Sequence, residues 1–298
     1  MRSLKGNRPL LVNLLLSLRP DQWTKNLFVF GALVFARKLN DPDAVLRAVL
    51  AFAIFCVLSG AVYLVNDVLD REQDKRHPLK RDRPIASGAL DPKTALVTAL
   101  TLAAVSLFVA SRLGLPFFAT ACAYLGLLWG YSAYFKHIVI VDVLTIAAGF
   151  ALRAVAGGAA ISVPVSHWLL VCTTLLALFL ALSKRRHELV LLAGEATDHR
   201  PALDDYTPYL LDQMISVVTA STLIAYAFYT ISPETTEKFG TTLLSLTIPF
   251  PLYGIFRYLY LVHRRDLGGS PAELLLNDRP LLVCVAMWAI AVILVIYR

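Results

Sequence analysis

The sequence predicts an all-α polytopic membrane protein with nine transmembrane helices. Of its 298 residues, 57% are hydrophobic and 16% are charged, whereas about a quarter of the residues in an ordinary soluble domain are charged. Apolar windows of about 20 residues, long enough to cross the hydrocarbon core of a bilayer, recur along nearly the whole chain. A soluble helical enzyme would not carry so many windows of this length.

The predicted spans are separated by recognisable helix boundaries. For example, Asp91-Pro92 supplies an N-cap and a first-turn proline for the third span. We expect one transmembrane domain over residues 1–298. Residues 1–18 should form an amphipathic helix on the membrane surface rather than a cleaved signal peptide, because no small-x-small cleavage site follows their apolar run. The nine spans are residues 24–37, 43–66, 93–112, 116–133, 141–159, 166–184, 212–231, 241–261 and 280–297.

Lysine and arginine are distributed unevenly between the two ends of these spans. With the N-terminus placed inside, the inner ends and connections receive nearly all of them. The positive-inside rule therefore predicts a cytoplasmic N-terminus and an active-site cavity that opens to the cytoplasm. The same asymmetry explains the formal charge of +7, which needs no nucleic-acid partner. The outer side receives only Arg37, Lys38, Arg47, Arg112, Lys238 and Arg298.

The cysteines point to no metal or redox site. Each of the four lies within a different apolar span, and no CxxC or Cys/His spacing is present. Zinc binding and disulfide pairing therefore have little support. We expect small buried side chains at Cys56, Cys122, Cys172 and Cys284.

The second span ends in a cluster of oxygen ligands. At 100° per helical residue, four side chains fall within one quadrant: Asn66, Asp67, Asp70 and Asp74. Tyr63 lies on the same face. The carboxylates need a cation, because a helix C-terminus disfavours anions. Hard oxygen ligands without histidine or cysteine favour Mg²⁺, with Mn²⁺ as the alternative, and a phosphate-bearing ligand. We therefore predict metal ligation by Asn66 and the three aspartates, and a catalytic role for the aspartates.

A basic segment follows the acidic cluster directly. Arg71, Lys80 and Arg83 belong to this region and are predicted to bind substrate. A metal on one side, with guanidinium and ammonium groups on the other, suits a polyanionic ligand. Binding to acidic lipid head groups is the alternative, but it leaves the acidic cluster unexplained.

Two further groups of polar residues lie at inner span ends. Tyr131 and Lys136 are at the inner end of the fourth span. At the end of the sixth span, Lys184 can pair with Glu188 one turn later, and Arg185 lies between them. We predict that these residues bind substrate. A basic stop-transfer cap is the alternative for the sixth-span group.

Arg153 is the most costly residue to place in a membrane. It shares a face of the fifth span with Asp142 and Gly149, and lies about 16 Å along the helix from Asp142. An arginine at such depth costs on the order of 3 kcal/mol unless it faces the bundle interior. We expect it to bind substrate, with a buried structural pair as the alternative. Lys25, at the start of the first span, is a similar candidate that either enters a cavity or snorkels.

With these motifs assembled, the chain resembles the UbiA-type intramembrane prenyltransferase superfamily. Residues 66–74 match its NDxxDxxxD signature, and residues 80–88 continue the similarity. Nine helices and long cytoplasmic loops fit that superfamily, so the resemblance covers nearly the whole chain.

One departure narrows the resemblance. Superfamily members that use a prenyl diphosphate usually carry a second aspartate-rich motif at the inner end of the sixth span, where this chain has the basic residues 183–188. Together with residues 19–26, 152–158 and 277–280, this makes it similar to a branch that transfers phosphoribose. That similarity implies 5-phosphoribosyl diphosphate (PRPP) as donor and polyprenyl (decaprenyl) phosphate as acceptor. It also implies a role in arabinan cell-wall precursor synthesis, at the cytoplasmic side of a bacterial inner membrane.

The number of basic residues agrees with this pair of substrates. A diphosphate, a 5-phosphate and a lipid phosphate need more cations than one prenyl diphosphate does. The alternative is a prenyltransferase that moves a prenyl diphosphate onto an aromatic or other acceptor. A transporter or scaffold would leave the clustered carboxylates without a purpose. Membrane lipid is the other expected partner, and the oligomeric state is left open. The expected phosphate-binding cations are Lys25, Arg83, Lys136, Arg153, Lys184 and Arg185.

Overall fold

The computed structural model describes residues 9–78, 80–191, 205–265 and 271–298, and within these ranges the chain is helical and contains no strand. Residues 1–8, 79, 192–204 and 266–270 lie outside the described ranges. The predicted surface helix over residues 1–18 is therefore described only from residue 9. The inner connections that follow the sixth and the eighth predicted spans are described only in part.

Within the described ranges most helices are joined by short connections, whereas residues 77–91 form a longer one between α4 and α5. The 3-10 helices of the described ranges are Pro20–Phe30, Phe135–His137 and Leu243–Thr247. The α-helices are α1 (Leu10–Ser17), α2 (Gly31–Phe35), α3 (Pro42–Leu69), α4 (Arg71–Arg76), α5 (Pro92–Arg112), α6 (Leu115–Ala133), α7 (Val141–Ala160), α8 (His167–Leu191), α9 (Pro208–Ile231), α10 (Pro233–Phe239), α11 (Pro249–Arg265), α12 (Pro271–Asn277) and α13 (Arg279–Tyr297).

Long apolar helices confirm an integral membrane protein. Six helices of the described ranges are long and apolar enough to cross a membrane, namely α3, α5, α7, α8, α9 and α13. A seventh span results if α10 and the helical residues from Leu243 onward are counted together, although they meet at 105°. The first predicted span, 24–37, is divided between a 3-10 helix and α2. The all-helical class is therefore confirmed, whereas the count of nine spans is not.

Polar N-caps combined with proline start many of the long helices. The Asp91 carboxylate accepts the Thr94 N–H at 3.0 Å, as the sequence predicts. Such a cap satisfies a first-turn donor, and proline in the first turn has no donor to satisfy. Each cap is worth about 1 kcal/mol. The same arrangement starts other helices at Asp41, Thr207, Ser232 and Asp278.

α7 joins two packed halves of the bundle. In the first half, α3 packs against α5, α6 and the 3-10 helix Pro20–Phe30. In the second half, α8 packs against α9, and their buried side chains form a separate cluster with α11. α7 contributes Ala156 to the first cluster and Val143 to the second. Small buried residues let α3 and α5 approach closely, among them Ala44, Ala48, Ala51, Ala95, Ala99 and Ala103.

α1 lies on the outside of the bundle with most of its leucines facing away from it, whereas Leu14 packs against the core. Asn13 and Ser17 are buried, whereas Leu11 and Leu15 are 72% and 56% exposed. The Asn13 amide donates to the Ala89 carbonyl at 3.2 Å and ties α1 to the rest of the protein. Exposed leucines on a helix anchored in this way suit contact with lipid.

The 3-10 helix Pro20–Phe30 packs very closely on α7 at Gly157. A Cβ atom at this position would lie 1.9 Å from the backbone oxygen of Val29. Only glycine therefore permits this approach. Asn26 lies one 3-10 turn before Val29 and on the same side of the helix, and both residues are fully buried. The close packing thus presses the Asn26 side chain against the bundle interior.

Candidate active site

The acidic motif lies where α3 ends and α4 begins. Asp70 leaves helical geometry, with φ −90° and ψ 6°, so Asp74 belongs to a second helix rather than to one continuous helix as its spacing suggested. The Asp74 amide still bonds to the Asp70 carbonyl at 2.8 Å, which keeps the junction tight. Asp67 and Asp74 are both buried. We call the end of the bundle that carries these residues the motif end.

Two arginines from other segments neutralise Asp67 and Asp74. Nη1 of Arg83 lies 2.7 Å from Oδ2 of Asp74 and 3.1 Å from Oδ1 of Asp67. One guanidinium nitrogen therefore bridges both carboxylates. Arg19 pairs with the same oxygen of Asp67. This pairing allows two carboxylates to be buried side by side.

Asp70 is held by a different cation. Lys136, in the short 3-10 helix Phe135–His137 that follows α6, forms an ion pair with one Asp70 oxygen and is buried. The Asn66 amide donates to the other oxygen at 3.0 Å. The structure thus brings Lys136 to the acidic motif, as the sequence predicted.

Arg19 is a site residue that the sequence analysis did not select. It adopts a left-handed backbone conformation, with φ 52°, directly before Pro20. Its guanidinium lies over the Tyr63 ring, 4.6 Å from the centroid, a cation–π contact that steers it toward Asp67. The contact also places Tyr63 beside the motif. The available sequence signal was an arginine before a proline, which marks a chain reversal after the preceding helix.

The basic segment after the motif acts on it electrostatically. Burial raises the pKa of Asp74 above its usual range, while the charges of Arg83 and Lys80 oppose this shift. Nε of Arg71 is buried and has no hydrogen-bond partner within the described residues. A buried donor next to the acidic motif is available to an oxygen of a ligand.

The oxygen donors at the motif end fit Mg²⁺. In the part of the chain that the structure describes, no three acidic, histidine or cysteine side chains converge on one metal-binding point. Asp67 and Asp74 nevertheless share one cation position, which Nη1 of Arg83 fills. Mg²⁺ is usually held by one or two carboxylates while water and substrate phosphates complete its shell. Two carboxylates around a shared cation position meet that requirement.

At the motif end of α8, Arg185 is enclosed by carboxylates. Its Nε donates to Oδ2 of Asp142 at 2.7 Å, and Nη1 pairs with Glu188. Nη2 donates to the Tyr131 hydroxyl at 3.1 Å. Arg185 is only 2% exposed, whereas the Lys184 side chain is 39% exposed and lies 3.9 Å from Glu188. Arg185 therefore ties α6, α7 and α8 together, and Lys184 is the more accessible cation.

Tyr206 completes this network and was not found from the sequence. Its hydroxyl donates to Oδ1 of Asp142 at 3.0 Å and accepts the Ile140 N–H at 2.8 Å. Ile140 has φ 68° and ψ −45°, which is a strained conformation for a β-branched residue. Buried Tyr206 thus holds the strained turn that leads into α7. No periodic spacing connects positions so far apart, so the sequence carried no signal for this contact.

Deeper in the bundle, Arg153 is fixed by neutral groups. Its Nε donates to Oδ1 of Asn26 at 2.8 Å and its Nη2 to the Tyr124 hydroxyl at 2.7 Å. Nη1 donates to the Gly149 carbonyl at 3.0 Å. Asp142, the carboxylate on the same helix face, pairs with a different arginine. Arg153 is 5% exposed and faces the bundle interior, as its position in the sequence required.

The predicted site residues fall into three groups in space. Arg153 and Lys25 form the deeper group, and Tyr63 lies between them and the motif, within electrostatic range of Arg19 and Arg153. The α8 group is Tyr131, Lys184, Arg185 and Glu188. The motif group is Asn66, Asp67, Asp70, Arg71, Asp74, Lys80, Arg83 and Lys136.

Comparison with known sequences identifies the family. The UbiA prenyltransferase family matches residues 26–277. The chain is 34% identical over 293 residues to the decaprenyl-phosphate phosphoribosyltransferase of Corynebacterium glutamicum, covering 94% of this chain and 86% of the relative. The enzyme of the same name from Mycobacterium tuberculosis is 30% identical over 283 residues, covering 94% and 92%.

Solved structures share the fold. A UbiA homologue from Archaeoglobus fulgidus bound to GPP and Mg²⁺ has a TM-score of 0.74 at 20% identity, covering 96% of this chain and 100% of that one. A digeranylgeranylglyceryl phosphate synthase has a TM-score of 0.67 at 17% identity, covering 97% and 99%. At these identities the likeness concerns the fold alone. The resemblance inferred from the acidic motif is confirmed, and the chain belongs to the UbiA prenyltransferase family of membrane-bound transferases.

Proposed function

We propose that the enzyme transfers 5-phosphoribose from PRPP to a polyprenyl phosphate and releases diphosphate. Relatives named decaprenyl-phosphate phosphoribosyltransferase, similar over 94% of the chain, support this proposal. One observation carries it. At the end of α8, where prenyl-diphosphate users have a second acidic motif, Arg185 occupies the carboxylates of Asp142 and Glu188. Among the described residues, neither Asp142 nor Glu188 is free to bind a second metal, so we propose that protein cations hold the remaining phosphates.

Mg²⁺ is proposed to bind at the motif end, at the cation position between Asp67 and Asp74. When bound, the metal neutralises charge on the departing diphosphate. With a metal at that position, Arg83 would no longer pair with both carboxylates and would be placed to donate to diphosphate oxygens, as guanidinium groups do well. The full set of proposed ligands is Asn66, Asp67, Asp70 and Asp74.

The proposed reaction exchanges one bond to the ribose C1 atom for another. The bond from C1 to the diphosphate oxygen breaks, and the diphosphate keeps the electron pair. Positive charge develops at C1 and the ring oxygen, as in other glycosyl transfers. An oxygen of the lipid phosphate attacks C1 from the opposite face and inverts its configuration. A phosphate monoester is largely ionised at neutral pH, so the attack needs no general base.

The remaining predicted residues hold the substrates or support the site. Tyr63 and Tyr131 offer hydroxyl groups, and Arg185 with Glu188 positions the helices around the site. The isoprenoid tail is proposed to lie in an apolar groove open to lipid. The bacterial relatives and the charge asymmetry favour a bacterial inner membrane, a cytoplasmic motif end and a role in arabinan precursor synthesis. The proposed phosphate-binding cations are Lys25, Arg71, Lys80, Arg83, Lys136, Arg153 and Lys184.

A substrate panel tests the proposal. The purified enzyme is supplied with Mg²⁺, polyprenyl phosphate and PRPP labelled in the ribose, and the lipid fraction is extracted. We expect labelled lipid, and none when EDTA is added or when the polyprenyl phosphate is omitted. An unlabelled lipid fraction, from a preparation that consumes a prenyl diphosphate instead, would refute the proposal.

The alternative function is transfer of a prenyl group onto an aromatic or other acceptor. It is favoured by the fold, because the similar archaeal protein was solved with GPP and Mg²⁺. The same panel separates the two functions, since a prenyltransferase consumes prenyl diphosphate and is indifferent to PRPP.

A further inference from the structure

Arg153 carries a buried charge that the described part of the protein does not balance. Its hydrogen-bond partners are an amide, a hydroxyl and a backbone carbonyl, all of them neutral. The rings of Tyr124 and Phe150 lie 4.8 and 4.9 Å from its guanidinium carbon. These contacts fix the position of the guanidinium but supply no negative charge. Two of its five N–H donors stay available to a ligand.

Lys25 lies on the same side of the bundle as Arg153. Phe28 follows Lys25 by one 3-10 turn and therefore shares its ridge. The Phe28 ring meets the Phe150 ring edge-on at 5.2 Å, and Arg153 covers that same Phe150 ring. Among charged side chains, Arg153 acts most strongly on Lys25. Two cations thus occupy one interior region.

The charges around Lys25 do not cancel. Arg153 repels it, as does Arg19 even though Asp67 pairs with Arg19, and Asp21 is the carboxylate that attracts it. Asp21 is exposed and accepts a hydrogen bond from the Gln22 amide at 2.6 Å. Within the described residues, Lys25 forms no hydrogen bond or ion pair of its own. An excess of positive charge in a poorly solvated region favours the binding of an anion.

A buried donor on the same 3-10 helix leads to the same conclusion. Nε1 of Trp23 is buried and has no hydrogen-bond partner among the described residues. Trp23 lies one 3-10 turn before Asn26, the residue that binds Arg153, and the two share a ridge. An oxygen of a bound anion would satisfy this N–H.

We propose that Lys25, Arg153 and Trp23 form a phosphate subsite that works without the metal and is separate from the acidic motif. The assignment rests on the proposed function, which brings three kinds of phosphate to the enzyme. Arg153 lies about 16 Å along α7 from Asp142, so this subsite is deeper than the motif end. The acceptor is the substrate whose tail must stay in the hydrocarbon. The subsite therefore takes the phosphate of the polyprenyl acceptor and holds it on the membrane side of the ribose.

Binding in the presence of EDTA tests the subsite without turnover. The full-length enzyme in lipid nanodiscs is titrated with farnesyl phosphate as the acceptor probe and with ribose 5-phosphate as the donor probe. Lys25→Met removes the charge and keeps most of the side-chain volume, and Lys25→Arg restores the charge. Lys38→Met is the matched control, because Lys38 lies in an exposed ion pair with Asp41.

We expect Lys25→Met to weaken farnesyl phosphate binding by about tenfold or more, Lys25→Arg to recover most of it, and Lys38→Met to change nothing. Ribose 5-phosphate should bind equally to all four proteins. Equal binding of farnesyl phosphate to the wild type and Lys25→Met would overturn the subsite. If Lys25→Met lost binding of ribose 5-phosphate alone, the acceptor assignment would be overturned and the subsite would bind the donor instead. This titration measures binding and not transfer. If the enzyme proved inactive with PRPP in the transfer assay, the proposed function would be refuted, but the binding result would still hold.

Discussion

The 3-10 helix Pro20–Phe30 approaches α7 closely at Gly157. Gly157→Ala therefore tests whether this approach positions the two deep cations, Lys25 and Arg153. The added Cβ would lie 1.9 Å from the Val29 oxygen and 2.8 Å from its carbonyl carbon. Both are backbone atoms, so no side-chain rotation relieves the clash. An ordinary C···O contact is about 3.3 Å or longer, so the two segments must separate by roughly 1.4 Å. That movement would carry Asn26 beyond hydrogen-bonding distance of Arg153, which is now 2.8 Å.

The energetic effect follows from these two changes. Overpacking of this kind costs about 1–3 kcal/mol, and loss of a hydrogen bond to a charged group costs about 1.5–3 kcal/mol. Alanine regains about 1 kcal/mol of helix propensity. We therefore expect Gly157→Ala to destabilise the protein by about 1.5–5 kcal/mol and to weaken transfer activity as well.

Thermal unfolding of the detergent-solubilised protein measures this effect, with Gly149→Ala as the matched control. Gly149 lies on the same helix, and a Cβ there would meet Leu128 and Arg153 at 3.5 and 3.6 Å, which is ordinary contact. Both variants gain the same helix propensity, so the difference between their unfolding temperatures measures the effect of the clash. If Gly157→Ala unfolds at the same temperature as Gly149→Ala, the close approach does not position the deep cations.

Two further substitutions probe the motif and the turn before α7. Asp67→Asn should lower turnover at least about 100-fold, a barrier increase of about 2.7 kcal/mol, while the protein stays folded; near-normal turnover would remove the metal hypothesis. Tyr206→Phe should cost about 2–4 kcal/mol of stability, because it leaves the Ile140 N–H and a buried Asp142 oxygen without their partner. Tyr209→Phe, at a 75% exposed tyrosine, is its control, and equal unfolding temperatures for these two variants would show that the Tyr206 hydroxyl does not hold the turn.

Local signals in the sequence were sufficient for much of the fold. The apolar run predicted as 43–66 is the core of α3, Pro42–Leu69, because a long apolar stretch in a membrane has few alternatives to a helix. Asp91-Pro92 fixed the start of α5 for an equally local reason. The first span was different. Hydropathy does not distinguish a 3-10 helix from an α-helix, so the 3-10 helix Pro20–Phe30 was not predictable from the apolar pattern.

The candidate site was predictable where its residues are neighbours in sequence. The spacing of Asp67, Asp70 and Asp74 identified the motif, although the break at Asp70 was not visible in it. Contacts over long separations were not predictable. The basic residues in the last turns of α8 suggested phosphate binding, but Arg185 is neutralised by Asp142, more than forty positions earlier. The sequence around a basic residue does not indicate whether a distant carboxylate already pairs with it.

Transfer of phosphoribose with release of diphosphate is tested most directly with PRPP labelled at two positions. One sample carries radioactive phosphorus in the 5-phosphate and the other in the diphosphate, and each is incubated with the enzyme, Mg²⁺ and polyprenyl phosphate. We predict that the 5-phosphate label enters the lipid fraction while the diphosphate label stays in the aqueous fraction as free diphosphate. Both labels remaining in water, or the diphosphate label entering the lipid, would contradict the proposed reaction.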